Sequence, residues 1–163
     1  MKPVAQSYFN EGVFQLLKEA FEGPAPTGPS AFLNKGTGLF QTLDGVSAQM
    51  ASTQSRPVGS TVAAHSEHVR FYVEVHQKLL QGSTEPIDWD KSWRIKTVNS
   101  AEWDVLRQEL RRAYANLIEY LRGVGNWGED EISVSMAVIA HTAYHLGAIR
   151  QLILALESHS SEK

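Results

Sequence analysis

The sequence predicts an all-α fold, a four-helix bundle with a long crossing segment between its first and second helices, and three observations predict it. Four stretches of the 163-residue chain carry apolar residues at helical spacing. No stretch alternates convincingly with the period of two that a half-buried strand needs. The connections between the periodic stretches hold proline, glycine and helix-capping residues. The length suits a single domain spanning residues 1–163, and a chain of this size buries roughly 70% of its unfolded surface.

The first helix is expected over residues 4–22, where Phe9, Val13, Leu16 and Ala20 form one stripe and Leu17 and Phe21 widen it. It must stop at Gly23-Pro24-Ala25-Pro26-Thr27-Gly28-Pro29, because a proline ring lacks the amide donor and clashes with the preceding turn. Within the crossing, Leu39, Phe40, Leu43, Val46 and Met50 predict one short helix or a pair of turns lying on the bundle. Residues 51–59 are polar and include Pro57 and Gly59, after which Ser60-Thr61 offer caps for a second helix over residues 61–81. Its stripe is Val62, His65, His68, Tyr72, Val75 and Leu79, flanked by Val69, Val73 and Leu80, and Gly82 closes it. Residues 83–98 read as a long loop in which Trp89 and Trp93 are packing anchors, or the edge of a ligand pocket.

Asn99 followed three residues later by Glu102 is a capping box for the third helix. Trp103, Leu106, Leu110, Ala113, Leu117, Tyr120 and Val124 make its inward face, and Arg107, Glu109, Arg111 and Arg112 are expected to face solvent. After a turn over residues 123–128, Glu129, Asp130 and Glu131 favour a helix N-terminus. The fourth helix follows, with Val134, Val138, His141, His145, Ile149, Leu152 and Leu156 in register. It is apolar on more than one face, through Ile132, Met136, Ala137, Ile139, Ala140, Leu146, Ile153 and Leu154, which predicts cover by the crossing segment and by a second copy in a homodimer.

Composition narrows the function. A hydrophobic content of 42%, a charged content of 20% and a net charge of −3 lack the basic excess of a nucleic-acid binder. With no cysteine there is no disulfide, thiolate ligand or cysteine nucleophile, so any thiol must come from outside. The N-terminal residues have no signal-like apolar core, and no run of 18 apolar residues occurs, so the expected setting is cytoplasmic with no membrane partner.

Four histidines interrupt the apolar stripes: His65 and His68 on the second helix, His141 and His145 on the fourth. Residues four apart differ by only about 40° around a helix axis, so His141 and His145 point the same way. A lone histidine on an apolar face is more often a core residue bonded to a carbonyl. Paired histidines on facing helices of a bundle can instead supply three imidazoles to a divalent cation and leave a position for water or substrate. His76 and His159 lie off these clusters and read as surface residues. None of the six histidines has a glutamate three positions before it, which disfavours a di-iron centre, and c-type haem attachment needs cysteine.

Two motifs carry a resemblance to the DinB-like (DinB/YfiT) superfamily of metal-binding four-helix bundles. The first is Ser60-Thr61-Val62-Ala63-Ala64-His65-Ser66-Glu67-His68-Val69, in which the ligand of that family follows the capping Ser/Thr by about seven residues. The second is His141-Thr142-Ala143-Tyr144-His145-Leu146-Gly147-Ala148-Ile149-Arg150, similar to the family's terminal-helix pair of histidines. The resemblance implies His68, His141 and His145 as metal ligands. His65 is then an outer neighbour of the ligands, or an alternative to His68. Ala148 stands where many relatives have glutamine.

The resemblance further implies a divalent ion, zinc or nickel, and a metal-dependent transferase or isomerase that uses a low-molecular-weight thiol on a small-molecule substrate. The rival is a non-catalytic, stress-associated bundle that binds metal or another protein. Tyr72, one turn after His68, is the candidate proton donor or ligand-orienting group, set against a packed tyrosine with a satisfied hydroxyl. Tyr144 has the same alternatives, and Arg150 either holds a carboxylate or faces water.

Overall fold

The computed structural model describes residues 5–56 and 59–161, without the side chains of 159–161; the start of the first predicted helix at residue 4, Pro57 and the His159 side chain lie outside this range. The fold is all-helical, a helical bundle with no strand among the described residues. Four long helices, α1 (Gln6–Glu22), α4 (Val62–Leu80), α5 (Ser100–Gly123) and α6 (Glu129–Ser161), are joined by two short ones, α2 (Leu39–Asp44) and α3 (Ala48–Ser52), and by a single 3-10 turn over Trp89–Trp93.

The predicted caps form. Thr61 Oγ1 accepts from Ala64 N at 3.1 Å and donates to Lys96 O at 2.7 Å, so one hydroxyl starts α4 and tethers the segment leading into α5. Asn99 Oδ1 accepts from Glu102 N at 3.0 Å while Glu102 Oε2 accepts from Asn99 N at 2.8 Å, satisfying two of the donors a helix start leaves unpaired. Between α2 and α3 the chain bends at Gly45, and Ser47 Oγ caps α3, so the crossing holds the pair of turns.

Helix α4 packs against α5, α6 and the 3-10 turn, and α1 packs against α6. Val69 and Val73 of α4, Leu110 and Leu117 of α5, and Leu146 and Ile149 of α6 are fully buried between them. Tyr114 of α5 stacks on Phe21 of α1 at 4.6 Å and donates its hydroxyl to Glu22 Oε1 at 2.8 Å, which links α5 to α1.

The crossing is held by a group that periodicity does not reveal. Glu19 is buried on α1, and its carboxylate accepts the backbone N–H groups of Ala31, Phe32 and Leu33 at 2.6–2.7 Å. Burial raises the pKa of such a group, but three donors aimed at the anion outweigh it and hold Glu19 below the usual carboxylate range. The charged face of α5 is not wholly solvated as predicted: Arg107 and Arg111 reach Asp44 at 3.2 and 2.7 Å, and Arg111 lies over the Phe40 ring, binding α2 to α5.

At the junction of α1 and α2 two backbones touch. A methyl group at Gly38 would sit 2.6 Å from Gly23 Cα and 2.7 Å from Glu22 C, atoms that cannot swing away. Gly38→Ala is expected to lower unfolding stability by about 2–3 kcal/mol. Gly12→Ala, where nothing lies within 4 Å of the added carbon, is expected to raise it by about 0.5–1 kcal/mol. Urea denaturation of the two variants checks both signs.

Candidate metal centre

Helices α4 and α6 cross with their histidines facing one another. His68, His141 and His145 each offer a nitrogen, and these three atoms all lie within 4.8 Å of one another, a group that could hold a metal ion. His68 Nε2 and His141 Nε2 are 3.0 Å apart. His65 Nδ1 lies 2.8 Å from His145 Nδ1, so His65 abuts the trio through a ring nitrogen of one of its members. His145 is buried and the other three imidazoles are half-buried.

Burial keeps these rings neutral. It pushes His141 down to about 3, helped by repulsion from His145, His68 and His76, and pushes His145 down to about 4, helped by His65 and His68. His65 and His68 are lowered too, chiefly by burial. A neutral imidazole has one lone pair, which is the form that ligates a cation.

The donor set could hold a metal ion: bonds of about 2.0–2.1 Å at a tetrahedral angle put ligand nitrogens roughly 3.3 Å apart, close to the 3.0 Å between His68 and His141, and the widest spacing in the trio, within 4.8 Å, would close on binding. The buried nitrogen of His141 without a hydrogen-bond partner is Nδ1, not the Nε2 that meets His68. Among the described residues no other group of three possible ligands gathers in this way.

Aromatic rings wall the trio. Tyr72 lies flat on His141 at 3.6 Å and 8°, and His76 lies on Tyr72 at 3.9 Å. The surface position predicted for His76 is therefore corrected: it is half-buried, and its Nδ1 donates to Tyr72 O at 2.9 Å. Trp93 stacks on His68 at 4.1 Å and presents an edge to His65 at 5.4 Å. Trp89 lies near Tyr72 and Phe71. Ser92, between the two tryptophans, is fully buried; its Oγ is 2.7 Å from His68 Nδ1 and donates to Trp89 O at 2.6 Å.

Compared with protein-family models, curated proteins and solved structures, the chain matches none.

Two other predicted candidates stand apart from the trio. Tyr144 is 72% exposed and meets His145 only edge-on at 5.0 Å, so it is not an inward hydroxyl. Arg150 is half-buried rather than facing water, and it donates to Thr37 O of the crossing segment at 3.5 Å. Ala148 instead helps line a cavity of about 380 Å³ beside His65, with Arg56, Ser55 and Gln151 also in its wall. Trp93, one of the two tryptophans expected to anchor the connection or edge a pocket, lies on His68, whereas Ser92 is a contributor that helical periodicity cannot find, since it lies in that connection.

Because His141 and His145 resist protonation in the fold while unfolded histidines titrate near 6.5, acid drives protons preferentially onto the unfolded chain. Stability of the chelated protein is thus full above about pH 6.5 and falls as pH drops towards about 4 and then 3. Each such imidazole adds at most about 1.4 kcal/mol per pH unit to the slope. Thermal unfolding between pH 7.5 and 5 is expected to show this decline, and a His145→Ala variant is expected to show a shallower one.

Proposed function

We propose that the chain is a DinB-like four-helix bundle in which His68, His141 and His145 hold one divalent ion, zinc or nickel, and that it acts on a small molecule. The observation that carries this reading is the meeting of three neutral imidazoles from two helices, with their nitrogens within 4.8 Å and no acidic or sulfur ligand in the set. An ion held by three neutral ligands keeps its full charge, lowers the pKa of a bound water or thiol, and polarises a carbonyl.

The protein's own groups divide the remaining work. Tyr72 stacks flat on His141 and restrains that ring's rotation, while His65 contacts His145 Nδ1 from outside the trio. Among the described residues, the lining of the cavity beside His65 includes Arg56 and no carboxylate, which suits a small anionic or neutral organic substrate. That cavity favours the enzymatic reading, a thiol-dependent transferase or isomerase, over a bundle that only stores metal.

The apolar surface of α6 supports assembly as a homodimer. Ile132, Ile139 and Ile153 are half-buried against the core and Leu146 is buried, which accounts for part of its apolar surface. Met136, Ala140, Tyr144, Gly147, Gln151 and Leu154 remain exposed, spaced by four, four, three, four and three residues. That spacing is a coiled-coil seam, and a second copy of the same seam is its simplest cover. By length and composition α6 could also cross a membrane, but it spends one face in the core, through Val138, Leu146 and Ile149.

Protein prepared without an affinity tag is expected to carry one divalent ion per chain by elemental analysis, and the His141→Ala/His145→Ala double variant none. Metal retained stoichiometrically by the double variant would overturn the assignment of ligands. Sedimentation at tens of micromolar is expected to give a dimer that Tyr144→Glu shifts to monomer; a wild-type monomer would leave the seam without this role.

A further inference from the structure

The turn at Trp89–Trp93 is close enough to His68 to act on it. Ser92 has a single hydroxyl proton and two polar neighbours, Trp89 O at 2.6 Å and His68 Nδ1 at 2.7 Å. A carbonyl oxygen only accepts, so the serine proton points to Trp89. Ser92 must then accept from His68, which places a proton on His68 Nδ1. In the neutral imidazole that ligates a metal, the lone pair then lies on Nε2, the atom that faces His141 Nε2 at 3.0 Å.

Trp93 restricts the same ring from its face. Its indole lies on His68 at 4.1 Å and 20°, and it also meets His65 and His145 at centroid distances of 5.4 and 5.9 Å. Rotation of His68 about its last side-chain bond is opposed by the serine bond at one edge and by the indole on one side. Trp93 is exposed at 37%, so its ring meets solvent while it also lies on His68.

We infer that Ser92 and Trp93 are positioning residues of the metal centre: Ser92 selects the His68 tautomer that aims the Nε2 lone pair into the trio, and Trp93 fixes the plane of that ring. The inference rests on the trio being a metal site for its consequence, but the tautomer exists without metal. A ring nitrogen that donates to a fixed acceptor is the usual way a ligating histidine is oriented, and loss of such a partner weakens metal binding by about 10–100-fold. Here the acceptor is a hydroxyl whose own proton is committed to Trp89.

The test has two independent arms. Long-range nitrogen–proton correlation NMR on the chelated wild type reads the tautomer directly. His68 is expected as Nδ1–H, with a loss of that preference in Ser92→Ala. An Nε2–H tautomer for His68 in the wild type would overturn the inference whatever the metal content. In the second arm, zinc affinity by competition with a chelating dye is expected to fall about 10–100-fold in Ser92→Ala and to fall in Trp93→Ala while Trp93→Phe, which keeps a ring on His68, retains it; unchanged affinity in Trp93→Ala would refute the role of Trp93. Zinc binding unchanged in Ser92→Ala would refute the positioning role and leave the trio as a metal site. A wild type that binds neither zinc nor nickel would refute the metal reading, while the NMR arm still decides the tautomer.

Discussion

The desolvation of imidazoles between α4 and α6 is the constraint to which the surrounding structure answers. Helix α4 supplies both the core contacts with α5 and α6 and the His65–His68 pair, so its two faces must be satisfied by one placement. Putting charge into that space is costly, and the rings respond by staying neutral and by meeting one another, a serine, a tyrosine and a tryptophan. Polar groups inside a low-dielectric core fix geometry more strictly than apolar ones, because a rotated ring loses its partner as well as its contacts.

The second organising group is the Glu19 carboxylate. A crossing made of prolines, glycines and two short helices has little ladder of its own, and its backbone donors need acceptors. One anion on α1 supplies three of them, at consecutive residues Ala31, Phe32 and Leu33. From there α2 is seated by Phe40 and Leu43, and α3 leads to Ser52, which both donates to and accepts from the Val98 backbone just before α5. The strap thereby touches α1, α5 and the segment entering α5.

How much of this could be read in advance depends on the range of the interaction. Caps are local, and Thr61, Asn99 and Glu102 began the helices where their chemistry predicted. Apolar periodicity is also local, and it located all four long helices and set His65, His68, His141 and His145 on facing stripes, while the choice of His68 over His65 rested on the resemblance. What escaped are contacts across long gaps. Nothing in the spacing of α1 marks Glu19, and Arg107 and Arg111 read as solvated charge although both reach Asp44. His76 seemed remote because nothing in its spacing signals a stack on Tyr72. Ser92 sits in a connection, where neither period applies.

The Glu19 arrangement also sets how the crossing opens. Ala31, Phe32 and Leu33 belong to no helix, and amides in such segments ordinarily exchange with solvent as fast as their local fluctuations allow. Here the three share one acceptor on a neighbouring helix, so none can be released at leisure while the other two hold the carboxylate in place. Full release of the strap at this point therefore requires the Glu19 carboxylate, and with it the last turns of α1, to lose all three donors. The strap's amides should report the unfastening of that helix end, not the looseness of a loop.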